Sequence, residues 1–268
     1  MATRKKTTAQ DKSARPARRR ALAYVSVLAC AVLAGGCGGN DEVFDLTKNI
    51  RDTYIEAQEA MEVGNYRKAI RIFEALQARF PFSEFATQIQ LELAYCYFKD
   101  GSTEQAIDAA DTFLRENPTH ARVDYAHYIK GLAYFEQGQG FLERLFRKDI
   151  NARPPKDGEL AFATFSRLVE RYPASPYAAD AQQRMVYLKN RLANYENAVA
   201  RFYLDQEAYV AALNRAKTAI ETYHGADSGA ESLSIMIEAY EGLGMTDLAN
   251  DTRRVLQKNF AGEPVARN

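Results

Sequence analysis

A thiol stands between two pairs of glycines in the stretch LAGGCGG, with Cys37 as its centre. Such a cysteine has little around it to pack against. Its sulfur is a nucleophile carried on a backbone that glycine leaves free to extend into another protein's active site. The residues before it set the compartment. Residues 1–20 carry eight Lys or Arg against a single acid, Asp11, and residues 21–36 (ALAYVSVLACAVLAGG) are uncharged. A basic segment, an apolar run and small residues before a break make up a secretory signal. The apolar run is shorter than the roughly 20 residues a membrane-spanning helix needs. Two readings follow: a plain signal peptide with a stray cysteine, or a signal whose cysteine is itself the modified group. The small residues leading directly into Cys37 favour the second.

Other reactive constellations are missing from the sequence. No HExxH, GxSxG, GxxxxGK or paired-cysteine metal spacing occurs. Cys30 belongs to the apolar run, which leaves Cys96 without an intrachain partner once Cys37 is used; in LELAYCYF it reads as a small buried hydrophobe. His120, His127 and His224 are scattered, and a packed or solvated role outweighs metal ligation for each. No catalytic residue, metal site or cofactor is expected. The first 36 residues hold eight of the chain's 35 basic residues and one of its 35 acids, so the remainder is acidic, near −7. That balance argues against a nucleic-acid partner.

The segment Leu33-Ala34-Gly35-Gly36-Cys37 resembles a bacterial lipobox, with Ala34 at the position that usually holds Leu and Leu33 one place earlier. The resemblance implies diacylglycerol on the Cys37 thiol, cleavage just before it and acylation of the new amine. Three acyl chains, at ~0.8 kcal/mol per buried methylene, would make such an anchor effectively permanent. Gly38, where an Asp would resemble an inner-membrane retention signal, implies the periplasmic face of the outer membrane.

Downstream, one helix ending recurs. Gly64, Ala69, Phe73, Leu76 and Phe80-Pro81 are matched by Gly101, Ala106, Ala110, Phe113 and Asn117-Pro118, 37 residues later. Ala161, Phe165, Leu168 and Tyr172-Pro173 repeat the pattern, then Ala212, Ala216, Ala219 and Tyr223-His224, then Gly244, Ala249, Leu256 and Phe260. A second helical pattern precedes each ending, with small residues at Ala57, Ala94, Gly131 and Ala200 where the paired helices must approach closely. This is the tetratricopeptide pattern of helix pairs. The expected fold is all-α: a tetratricopeptide superhelix of five helix pairs over residues 48–268, after a signal at 1–36 and a lipidated tether at 37–47. An insertion at 139–158 interrupts the third pair, separating an N-terminal half (48–140) from a C-terminal half (159–262). The insertion's Arg144, Arg147, Lys148 and Arg153 beside Phe141, Leu142, Leu145 and Phe146 fit either a partner-binding projection or a solvated loop.

In such arrays the first helix of each pair lines the concave side. Register there places Gln58, Glu62, Gln88, Glu92, Tyr95, Lys99, Tyr125 and Tyr128 on that side. Rings flanked by amides and charges suit an extended peptide; ordinary packing between repeats accounts equally well for any single tyrosine.

With these residues in view, GNYRKAIRIFEALQARFPFS, ENPTH and the long run RYPASPYAADAQQRMVYLKNRLANYENAVARFY resemble the BamD family of outer-membrane lipoproteins over about residues 45–260. The resemblance implies a non-enzymatic adaptor of the β-barrel assembly machine. Its C-terminal repeats would bind the periplasmic domain of a BamA-type insertase alongside other assembly lipoproteins. Its N-terminal repeats would receive unfolded outer-membrane proteins or their C-terminal signals. Asn214-Arg215 matches the family's insertase-contacting pair, while His224-Gly225 stands where the family closes that repeat with Pro. Arg215 has a second reading, an intrachain surface salt bridge. A different periplasmic repeat scaffold, such as an adaptor for cell-wall hydrolases, would share the repeat pattern but not ENPTH or the long run.

Cys37→Ser is expected to abolish acylation, block cleavage after Gly36 and release the chain from membrane fractions. Mass spectrometry of the mature N-terminus checks this.

Overall fold

The computed structural model describes residues 49–138 and 155–260. Cys37, the expected signal and tether, and the insertion's Phe141, Leu142, Arg144, Leu145, Phe146, Arg147, Lys148 and Arg153 lie outside that range. Within it the chain is ten helices. They pair as α1 (Ile50–Glu62) with α2 (Tyr66–Arg79), α3 (Ala86–Asp100) with α4 (Thr103–Glu116), and α5 (Val123–Gln137) with α6 (Lys156–Arg171). The last two pairs are α7 (Ala178–Asp205) with α8 (Tyr209–Thr222), and α9 (Gly229–Gly242) with α10 (Thr246–Asn259). Each helix packs on its neighbours in sequence, and α3 reaches α5 as α7 reaches α9. This is the expected tetratricopeptide superhelix. No helix among the described residues is long and apolar enough to cross a membrane.

The two helices of a pair differ because their surroundings differ. Each second helix buries one stripe: Ala69, Ile72, Phe73 and Leu76 in α2, and Ala106, Ala110 and Phe113 in α4. Each first helix is covered from several sides, so α3 buries Ile89, Leu91, Glu92, Leu93, Ala94 and Cys96. The small residues sit where the helices touch. Ala57, Ala94 and Ala200 are fully buried. At Gly131 an added Cβ would lie 2.5 Å from the ring of Phe165. Among the described residues no helix follows α10, which buries only Ala249 and Thr252.

The turns repeat as well. Phe80, Asn117 and Tyr172 close their helices at φ near −130° and ψ near 55°, the conformation a following proline imposes by excluding the α region. In each case a backbone N–H three residues on returns to the closing carbonyl, as in Ser83 to Phe80 and Ser175 to Tyr172. His224-Gly225 keeps this turn without proline. The Ala226 N–H bonds the Tyr223 carbonyl at 3.1 Å, and Gly225 takes φ +71°. On the opposite edge Gly64, Gly101 and Gly244 occupy the left-handed region, whereas the fourth pair places Glu207 there at φ 56°. A side chain in that region is disfavoured by about 1–2 kcal/mol.

Gly131→Ala is expected to destabilise the fold by about 1–3 kcal/mol, because the added methyl meets a fully buried ring with no room to turn. Urea denaturation of the two proteins measures it; an unchanged midpoint would show that the pair tolerates wider spacing.

Candidate functional site

The residues expected on the concave side form connected groups along α1, α3, α5 and the start of α7. Glu92 on α3 is only 8% exposed. Its Oε1 accepts from the Tyr54 hydroxyl at 2.8 Å, from Gln88 Nε2 at 2.8 Å and from Gln58 Nε2 at 3.5 Å. Gln58 also donates to the Tyr54 oxygen at 3.1 Å. Glu92 Oε2 is buried with no partner. The Tyr54 ring stacks on Phe85, centroids 4.7 Å apart. Burial, then the hydrogen bond to Glu92, push the Tyr54 phenol up. Exposed Glu62 lies a turn beyond Gln58 on the same stripe.

A second group follows. Tyr95 meets the edge of Tyr66, and Lys99 lies 5.9 Å from the Tyr66 centroid. The third gathers Tyr125 and Tyr128 around Tyr177, with centroids 5.2 and 4.8 Å away. Tyr128 donates to Asp180 at 2.8 Å, and Arg184 holds the same carboxylate at 2.6 Å. Burial, then that hydrogen bond, push the Tyr128 phenol up to about 12. Arg122 lies over Tyr125 at 4.6 Å.

The structure therefore brings Gln58, Gln88 and Glu92 into one cluster, and Tyr125 and Tyr128 into another, with Tyr95 and Lys99 between them. Packing and presentation coincide here: every one of these tyrosines contacts a neighbouring aromatic, yet Tyr95, Tyr125 and Tyr128 remain partly exposed. Sequence register missed Tyr54, Tyr66, Arg122, Tyr177 and Asp180. Phe85 and Tyr177 carried a signal, since both immediately precede a first helix and both cover an aromatic of the first helix before.

At the other end Asn214 is exposed, and Arg215 is engaged within the chain. Its Nη1 lies 3.2 Å from Glu196 Oε2, and Glu196 is 5% exposed. The intrachain salt bridge is thus present, and its acid is buried rather than at the surface. The hydrogen bond to Glu196 raises the Arg215 pKa. Arg215→Glu would cost stability as well as any partner contact, since it would set two carboxylates together with one of them buried. Other residues of the run YLKNRLANYEN are also ties. Asn190 bonds Asp227 at 2.6 Å, Asn197 accepts from Ser232 at 2.7 Å, and Arg191 donates to the Gly138 carbonyl at 2.7 Å.

The remaining candidates are structural. Cys96 is buried, its thiol pushed up to about 12 by burial and then by Glu92. His120 packs edge-on to Phe113 and accepts the Arg122 N–H. Among the described residues no group of His, Cys, Asp and Glu is placed to hold a metal.

Residues 47–256 match the family model described as YfiO, outer membrane lipoprotein. The chain belongs to this family. Its relatives include the outer membrane protein assembly factor BamD of Vibrio cholerae serotype O1, 41% identical over 87% of this chain and 96% of that one. The BamD of Neisseria meningitidis serogroup A is 43% identical over 81% of each chain. That of Pasteurella multocida is 34% identical over 90% of this chain and 91% of its own. For a member of this family the array's hydrogen-bonded concave stripe and the ion-paired fourth repeat become the two surfaces to explain.

His127 makes a pH dependence part of that scaffold. It is 7% exposed against Tyr172, and burial, then Arg167, Lys130 and Arg171, lower its pKa to about 4, opposed only by Asp111. An unfolded chain binds the proton near 6.5 and the folded one does not, so stability falls as pH drops from 6.5 towards 4, by at most about 3 kcal/mol. Between pH 7 and pH 5 the wild type is expected to lose more unfolding free energy than His127→Gln. Equal losses in urea titrations would exclude His127 as the cause.

Proposed function

We propose that this chain is an outer-membrane protein assembly factor: a lipid-anchored, non-catalytic adaptor on the periplasmic face of the outer membrane. Family membership over nearly the whole helical array carries the reading. In it, the concave stripe of α1, α3 and α5 receives extended segments of unfolded outer-membrane proteins, including their C-terminal signals. Tyr95, Tyr125 and Tyr128 offer ring faces for side chains, while the exposed edges of Gln58, Gln88 and Lys99 meet the peptide backbone and any terminal carboxylate. Because Glu92, Tyr54 and Asp180 already hold these groups in place, little side-chain freedom is lost on binding.

The fourth repeat, with Asn214 and Arg215, contacts the periplasmic domain of a BamA-type insertase, and further assembly lipoproteins share the complex. Arg215 has donors left after its bond to Glu196, and its side chain is 43% exposed. One guanidinium can therefore hold a buried intrachain acid and reach a partner carboxylate at once. The array transmits little between its ends, since each repeat touches only its neighbours.

The decisive variant is the neutral pair Arg215→Gln with Glu196→Gln, which removes the exposed donor without stranding a buried charge. It is expected to fold, to bind substrate C-terminal peptides as before, and to bind the insertase domain more than tenfold more weakly, about 1.4 kcal/mol. Unchanged insertase binding would confine Arg215 to a structural role.

A further inference from the structure

The turn between α2 and α3 differs from its counterparts. Its apex residue, Phe82, is 97% exposed. The equivalent positions after the next helix-closing residues hold Thr119, Ala174 and Gly225. Pro81 fixes the preceding backbone, and the Ser83 N–H closes the turn on the Phe80 carbonyl at 3.1 Å. The ring thus points away from its own helices on a rigid support. Two guanidiniums cover the rings on either side of it in the chain: Arg79 lies 5.6 Å from the Phe80 centroid, and Arg51 lies 5.8 Å from that of Phe85.

This turn is also where the described chain begins. Arg51, in the first turn of α1, pairs with Glu84 at 3.4 Å and lies over Phe85, so the start of α1 packs against this turn. Only 11 residues lie between Cys37 and Asn49. Fully extended, they reach roughly 40 Å.

We propose that the α2–α3 turn is a membrane-contacting foot, in which Phe82 enters the interface of the glycerophospholipid bilayer that anchors the chain. This rests on the lipid-anchor reading above. An aromatic ring suits the boundary between headgroup and acyl chain, and Arg51 and Arg79, over the rings on either side of it in the chain, can meet phosphates. A single ring binds a membrane weakly from solution. A short tether makes the contact intramolecular and raises its effective concentration. With two points fixed, Cys37 and Phe82, the edge that bears the α2–α3 turn faces the bilayer. The opposite edge, which carries Val63 and Gly138, faces away.

The sequence leaves room for a clean probe, since it contains no tryptophan. Phe82→Trp and, as control on the opposite edge, Val63→Trp are made in a chain beginning at Cys37, which retains the whole helical array. Each is coupled through Cys37 to maleimide lipid in phosphatidylethanolamine–phosphatidylglycerol vesicles; buried Cys96 does not compete. With brominated acyl chains, the indole emission of the Phe82→Trp protein is expected to shift to the blue and fall at least twofold. Emission of the Val63→Trp protein is expected to stay unchanged. An unquenched Phe82→Trp protein, or equal quenching of both variants, overturns the proposal. So does a Phe82→Trp emission that responds to the insertase domain and not to the lipid. Chemical coupling separates this outcome from the anchor itself. An unacylated Cys37 in mass spectra of the cellular protein would refute the anchor reading, and with it the membrane that the foot is meant to touch.

Discussion

Everything in this array depends on how closely the two helices of a pair can approach. Ala57, Ala94 and Ala200 are fully buried at that contact, as are their partners Ala69, Ala106 and Ala212. Gly131 goes further, because the Phe165 ring occupies the space its Cβ would need. Close backbones leave wedge-shaped gaps on either side, and Phe73, Phe113 and Phe165 fill them completely. The same geometry fixes the turns, whose repeated hydrogen bonds hand each pair to the next at one angle. A solenoid has no single core, so each such contact must be made well locally.

Polar ties then set the register between pairs. Glu92 gathers donors from α1 and α3, while Glu196, Asn190 and Asn197 fasten α7 to the helices and turn that follow. Apolar contact between helices tolerates sliding. A buried carboxylate or amide does not, since any shift strands it without its partner. In the N-terminal half these ties fall on the stripe of first helices and fix Tyr54, Gln58 and Gln88 around Glu92. In the C-terminal half they run along the long helix and reach Arg215, whose guanidinium holds the buried Glu196 while its side chain stays 43% exposed.

The array therefore separates its tasks by position. The stripe of first helices presents rings and amides, the fourth repeat presents Asn214 and Arg215, and the edge at the chain's entry presents Phe82.

The sequence by itself determined the helix pairs and their number. Alanine, aromatic and proline positions recur at a period that only paired helices satisfy, and steric approach depends on residue size, which a sequence states directly. It also placed Gln58, Gln88, Glu92, Tyr95, Tyr125 and Tyr128 on one side, because helical periodicity decides which way a side chain points. Tertiary structure alone decided what those side chains do. That Tyr54 bonds Glu92, 38 residues away, or that Arg215 pairs with Glu196 on the preceding helix, depends on distances between helices. Residues of the run YLKNRLANYEN that mark the family in sequence prove to be ties between repeats. No pattern within a single helix encodes a hydrogen bond that exists only after two helices have packed.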